Sequence, residues 1–201
     1  MTAKIMSISQ KVLDFLKKND IEVKVVGHKK VYTAYDLAQT TKEKLQKIGK
    51  TLLVKADGKD YLVLVPGHYY LDISKIKKSL KAKTVELANE KYIKKILNSN
   101  PGGLHPFAGI GKIELLLDKK LVSVRDAIIG AGSFTESLRM QAKDLKKLEH
   151  VTLGEFGKEA VKRGIIVAKK GAKKVMKNKK VKRAVKKIAK KSPVKIRIKR
   201  K

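Results

Sequence analysis

Residues 50–67 read KTLLVKADGKDYLVLVPG, and this stretch restricts the fold more than any other. Two apolar, β-rich runs flank Asp57-Gly58. That dipeptide tolerates the positive φ angles of the tight turns that join antiparallel strands, so the stretch is expected to be a β-hairpin. The segments around it alternate in period. Ile8, Val12, Leu13 and Leu16 form one apolar face of a first helix, with a serine ahead of them to cap it. Ile21, Val23 and Val25 alternate as a strand does, and TAYD (Thr33 to Asp36) is a capping-box pattern opening a second helix. Asp72 is placed to cap a helix carrying Ile73, Ile76 and Leu80. KTVEL reads as a short strand, and Asn89 starts a helix with Ile93, Ile96 and Leu97. KIELLLD, DAIIGAG and ESLRMQ are strand-like, and AKDLKKLEH is expected to close as a helix. No regular βαβ alternation and no internal repeat appear through residue 152. The expected class is α+β, with a mixed, mostly antiparallel sheet flanked by helices.

Charge divides the chain. Twenty of its 50 Lys and Arg residues lie in 160–201, and none of its 18 Asp and Glu, so this last fifth carries +20 of the net +32. It holds no Tyr, Phe or Trp and is too poor in apolar residues to bury a core. The composition therefore implies a folded domain over 1–152 and a basic tail over 153–201. Val181, Val185 and Ile188 have helical spacing, consistent with a basic amphipathic helix formed on contact with a partner, and VKIRIKRK after Pro193 alternates like a short strand. Lys169, Lys170, Lys173, Lys174, Lys179, Lys180, Lys182, Arg183, Lys186 and Lys187 are the candidate phosphate contacts, with nucleic acid rather than a membrane surface as the partner. Without aromatics the tail is expected to hold phosphates rather than stack on bases.

The absence of Cys excludes disulfides, thiolate metal sites and a cysteine nucleophile. His28, His68, His105 and His150 lack metal-ligand spacing, so neither metal nor cofactor is expected. The first twenty residues have no apolar run like that of a secretion signal. A cytoplasmic monomer is the expectation.

Three segments carry candidate chemistry. Lys50 enters an apolar strand, where an ammonium can face a cleft and hold a carbonyl or anion. Thr51 follows it. In PGGLHPF, Gly102 would serve as a helix stop, whereas Gly103, His105 and Pro106 exceed what that role needs and fit a loop held against a ligand. Gly130, Gly132 and Ser133 stand at a strand end, where missing side chains leave room beside the sheet. No P-loop, G-x-S-x-G elbow or carboxylate pair is present, so a hydrolase of this kind needs an already reactive substrate.

KTLLVKADGKDYLVLVPG, LDISKIKKSL, GGLHPF and GAGSFTESLRM, in this order and spacing, resemble the YbaK/ProX family over about residues 5–152. These are aminoacyl-tRNA deacylases related to the editing domain of bacterial prolyl-tRNA synthetases. The resemblance implies hydrolysis of the ester of mischarged tRNA, commonly alanine or cysteine on tRNA for proline, with a prolyl-tRNA synthetase as a possible partner. It implies that Lys50 is the functional lysine, that Gly102 and Pro106 belong to a G-x-x-x-P pocket motif, and that Tyr32 and Thr33 line the pocket mouth. Ala108 stands where the family often has Gly, and NSNPGG replaces a more usual run of small and apolar residues, differences that bear on amino-acid specificity. The alternative is a non-catalytic nucleic-acid-binding protein on a degenerate deacylase scaffold.

Overall fold

The computed structural model describes residues 8–107, 110 and 112–159. The basic segment 160–201, with its expected helix and strand, lies outside them.

Helix α1 (Gln10–Lys18) buries Val12 and Leu16, and Ile8, expected on the same helical face, is buried just ahead of the helix. Ser9 holds the N-cap position, but its backbone carbonyl, not its hydroxyl, meets the Val12 N–H. The strand expected from Ile21 onward starts only at β1 (Lys24–Gly27), because the Ile21 N–H turns back to the Leu16 carbonyl and closes the helix instead. Val25 is exposed, as the outer strand of a sheet allows. Helix α2 (Ala34–Thr41) has the expected reciprocal capping box between Thr33 and Asp36.

A short 3-10 turn (Leu45–Lys47) leads into β2 (Ile48–Ala56) and β3 (Lys59–Pro66), the expected hairpin. Asp57 and Gly58 adopt φ of 45° and 88° at its tip. The Asp57 carboxylate accepts the Lys83 and Thr84 N–H groups, which pins the tip to the chain entering β5 (Val85–Leu87). Strand β4 (Tyr69–Leu71) precedes α3 (Ile73–Leu80), capped by Asp72, and α4 (Glu90–Leu97) is capped by Asn89. Then follow β6 (Glu114–Asp118), α5 (Lys119–Val122), β7 (Ala127–Gly130) and β8 (Glu136–Met140). Residues Ala142–Lys147 form a 3-10 helix rather than the expected α-helix. Ala142, Leu145 and Leu148 are all buried, and their three-residue spacing fits the 3-10 period. Strands β9 (Val151–Gly154) and β10 (Gly157–Glu159) follow, so the strands run on to Glu159.

The main sheet has the order β1-β8-β7-β2-β3-β6-β9, with β5 also paired to β2, and β10 pairs with β4 separately. Five of these eight pairings are antiparallel and three parallel. The continuous apolar run of β3 is explained by burial on both faces. Leu62 and Leu64 join the cluster under α1 and α4, and Val63 and Val65 join Ile76 of α3 and Phe156.

Asp118 is a fully buried carboxylate. Its Oδ2 accepts the N–H groups of Phe156 (2.8 Å) and Gly157 (2.9 Å), and its Oδ1 that of Lys120 (2.8 Å). The charge is thus met by three backbone donors, and the chain entering β10 is held beside the sheet.

Candidate active site

One edge of β2 is fully paired, with β3 running alongside from Gly49 to Ala56. The other edge is interrupted. Strand β7 takes Ile48 and Gly49, β5 takes Val54 to Ala56, and neither reaches residues 50–53. Beyond Gly130 the chain leaves the ladder through Ala131 and Gly132, the latter at φ 85°. A cavity of about 280 Å³ occupies the gap. Its walls are Gly49, Lys50, Thr51 and Leu52 on one side, and Gly130, Ser133 and Ser137 on the other. Pro101, Gly102 and Leu104 contribute from the loop after α4, and the segment Val31 to Ala34 with Leu37 completes the enclosure.

The glycines make this nesting possible. Gly102 has φ 86°, and a Cβ there would collide with the Tyr32 carbonyl. A Cβ on Gly130 would come to 2.9 Å from the Leu104 carbonyl. Both motifs therefore bring the protein's own backbone runs into contact around the cavity.

Lys50 is half-buried, and its Nζ donates to the Tyr69 carbonyl. The ammonium lies 5.7 Å from the centroid of the Tyr70 ring. Burial holds its pKa below the ordinary 10.5. The position of Tyr69 is set from behind, since β4 pairs with β10 and β10 follows the segment gripped by Asp118. His68 precedes it with a buried Nδ1 that has no hydrogen-bond partner among the described residues. Burial, partly opposed by Glu159 and reinforced by the charge of Lys50, keeps this imidazole below its ordinary pKa. Thr51 Oγ1 is likewise buried without a partner among the described residues, and Thr51 lines the cavity.

Seven of the residues singled out in the sequence meet at this cavity: Tyr32, Thr33, Lys50, Thr51, Gly102, Gly130 and Ser133. The Thr33 hydroxyl is engaged as a helix cap, and Ser133 Oγ accepts the N–H groups of Thr135 and Glu136. Gly103 and His105 instead line a neighbouring cavity of about 240 Å³ behind the loop. There His105 Nδ1 accepts the Phe107 N–H, and burial lowers its pKa. Pro106 is buried, Gly132 is exposed, and neither lines these two cavities. The ten basic tail residues lie outside the described residues. Ser137 had no sequence signal. Register alone brings it to the wall, opposite Gly130, where its hydroxyl bonds His28 Nε2.

Among the described residues, no group of three or more His, Asp or Glu is placed to hold a metal, and no helix is long and apolar enough to cross a membrane.

The model of the aminoacyl-tRNA editing domain matches residues 28–148, which include every residue that lines the cavity. The chain belongs to this editing-domain family. Its relatives include the proline–tRNA ligases of Macrococcus caseolyticus, 34% identical over 102 residues, and Staphylococcus saprophyticus, 32% identical over the same length. In both, the match covers 51% of this chain and 18% of the ligase, so the chain spans under a fifth of these relatives. Among solved structures, the hypothetical protein APE2540 aligns with a TM-score of 0.69 at 23% identity, covering 74% of this chain and all of that one. A candidate trans-editing enzyme for prolyl tRNA synthetase aligns at 0.64 and 21%, covering 76% and 99%. These two share the editing domain's fold.

Proposed function

We propose that this chain hydrolyses the ester of mischarged aminoacyl-tRNA, with alanyl- and cysteinyl-tRNA for proline as the first substrates to consider. The observation that carries the reading is the half-buried ammonium of Lys50 at the edge of a small, mainly apolar cavity in the broken edge of β2. At about 280 Å³ the cavity has room for a small aminoacyl group beside Lys50.

The reaction asks little of the protein. Water adds to the ester carbonyl, the carbon–oxygen bond to the ribose breaks, and the ribose hydroxyl leaves with a proton. An ester is already reactive, so positioning and stabilisation of the developing oxyanion suffice. Lys50 has three ammonium protons and gives one to Tyr69, and no other acceptor holds it among the described residues. We assign it to the ester carbonyl. Thr51 Oγ1 supplies a hydrogen bond to the aminoacyl group, and the loop at Gly102 closes the cavity over it. The tail supplies sequence-independent affinity for tRNA phosphates.

The test uses tRNA for proline charged with alanine, cysteine, serine or proline, and follows ester loss. The intact chain is expected to clear at least one mischarged species, and Lys50→Ala to lose about a hundredfold or more in rate. Changing the ten basic tail residues to Gln in the full chain should raise KM and flatten its salt dependence while sparing kcat. Ester loss no faster than in buffer, with tRNA binding intact, would reject hydrolysis of these substrates and favour the binding-protein alternative.

A further inference from the structure

Three of the chain's six tyrosines are exposed: Tyr32 at 55%, Tyr35 at 61% and Tyr70 at 65%. Two of them are connected to the cavity. Tyr32 lines it, and Tyr70 is reached through the lining residue Lys50, whose ammonium lies 5.7 Å from its ring centroid. Both rings are carried on fixed backbone. The Tyr32 carbonyl is packed against Gly102, and its ring meets Phe134 at 5.3 Å between centroids, tilted by 50°. Tyr70 belongs to β4 and is paired with Lys158 of β10. Tyr32 also has Lys30 beside it, with Nζ 5.3 Å from the ring centroid, whereas the lysine at Tyr70 is Lys50, already assigned to the ester carbonyl.

An exposed aromatic face next to a cation is the element from which proteins build docks for unpaired nucleotides. The ring stacks on a base, and the cation meets the adjoining phosphate. The position of the rings points the same way. An esterified end that enters beside Lys50 has its adjoining nucleotides near Tyr32, which lines the cavity, and near Tyr70, whose ring lies by the Lys50 ammonium.

Resting on the deacylase reading above, we propose that Tyr32 and Tyr70 form a stacking dock for the unpaired 3′-terminal nucleotides of the RNA whose esterified end enters the cavity. This assigns base stacking to the folded domain and phosphate attraction to the tail. Tyr35 provides an internal control. It is equally exposed, but it sits on the other side of α2 with Ala38, Gln39 and Lys42, and its hydroxyl accepts from Gln39 Nε2 at 2.9 Å.

The experiment compares two uncharged RNA hairpins with the same stem, one blunt and one ending in an unpaired 3′ cytidine-cytidine-adenosine. Affinity is measured by fluorescence anisotropy on the full chain, at salt high enough to weaken binding to the stem. The overhang hairpin is expected to bind about tenfold more tightly than the blunt one. Tyr32→Ala and Tyr70→Ala should each remove most of that preference and leave blunt-hairpin affinity unchanged. Tyr32→Phe and Tyr70→Phe keep the π-face and should preserve it, and Tyr35→Ala should have no effect. Equal affinity for the two hairpins, or a preference that survives the double change to Ala, overturns the dock. Ester hydrolysis on charged tRNA is scored separately. No hydrolysis with the ring-dependent preference intact removes the deacylase reading and keeps the dock, whereas hydrolysis without ring dependence removes the dock alone.

Discussion

The two edges of β2 show how one strand serves both stability and a site. Along β3 the ladder is unbroken, and Leu53, Val54, Leu62, Val63, Leu64 and Val65 are almost wholly buried. Along the opposite edge the ladder stops at Gly49, resumes at Val54, and exposes Lys50, Thr51 and Leu52 to a cavity. The closed edge satisfies its polar groups with its own backbone. The open edge holds a buried hydroxyl without a partner among the described residues and an ammonium kept partly from water. Such groups destabilise a fold unless a ligand meets them. The contrast teaches that the site lies where pairing was given up.

Substitutions on the two edges should therefore fail differently. The largest stability loss is expected at the closed edge. Leu53→Ala removes a side chain with no exposed area and should destabilise by about 3 kcal/mol in denaturant unfolding. Rates per folded molecule should stay near wild type. A hydrolysis defect larger than the unfolded fraction explains would show that the two edges are coupled. Next comes Asp118→Asn, at about 2 kcal/mol. Asn keeps one acceptor but turns an N–H₂ group toward backbone donors that Asp118 now serves. Because the same carboxylate holds the chain entering β10, and β10 holds β4, this variant should also loosen Lys50 and lower activity.

At the open edge the order reverses. Gly102→Ala imposes a side chain at φ 86° and pushes the loop off the Tyr32 carbonyl. A stability loss of about 1–2 kcal/mol is expected, with a fall in kcat/KM of about tenfold or more, since the shifted loop no longer closes the cavity. Thr51→Val removes the unpartnered hydroxyl at nearly constant shape. The ligand-free chain should gain about 1 kcal/mol in denaturant unfolding, while kcat/KM drops about fivefold or the preference among charged amino acids changes. Unchanged kinetics would remove Thr51 from the substrate.

The closed edge was the more legible half. The hairpin, its Asp57-Gly58 turn, the Thr33–Asp36 capping box and the helices capped by Asp72 and Asn89 all depend on local periodicity and turn chemistry, which residues a few positions apart suffice to state. The open edge depends on register between distant segments. Lys50 and the glycines were visible as unusual residues, but nothing local shows that Ser137 faces Gly130. Nor does local pattern separate Gly102 from Gly103, neighbours in sequence that line different cavities. The short strands β4 and β10 were missed for a related reason. Each is three residues long and gains its meaning from the other, and from Asp118 nearly forty residues before the point it grips.

The smallest effect is also the one that reads the open edge most directly. Burial lowers the Lys50 pKa below 10.5, so between the lowered value and 10.5 the unfolded chain holds more protons at this residue than the folded one. Stability contributed by Lys50 therefore rises as pH increases through that window. Under the proposed assignment activity moves the other way, because deprotonation would remove the charge offered to the ester carbonyl. After subtraction of spontaneous ester hydrolysis, the wild-type rate should fall at a lower pH than an ordinary lysine would give, while denaturant unfolding shows a small gain. Lys50→Met keeps the apolar stem without the charge, and it should show neither the alkaline fall in rate nor the gain in stability. An alkaline fall that persists in Lys50→Met would assign the titration to another group and separate the burial of Lys50 from the chemistry of the cavity.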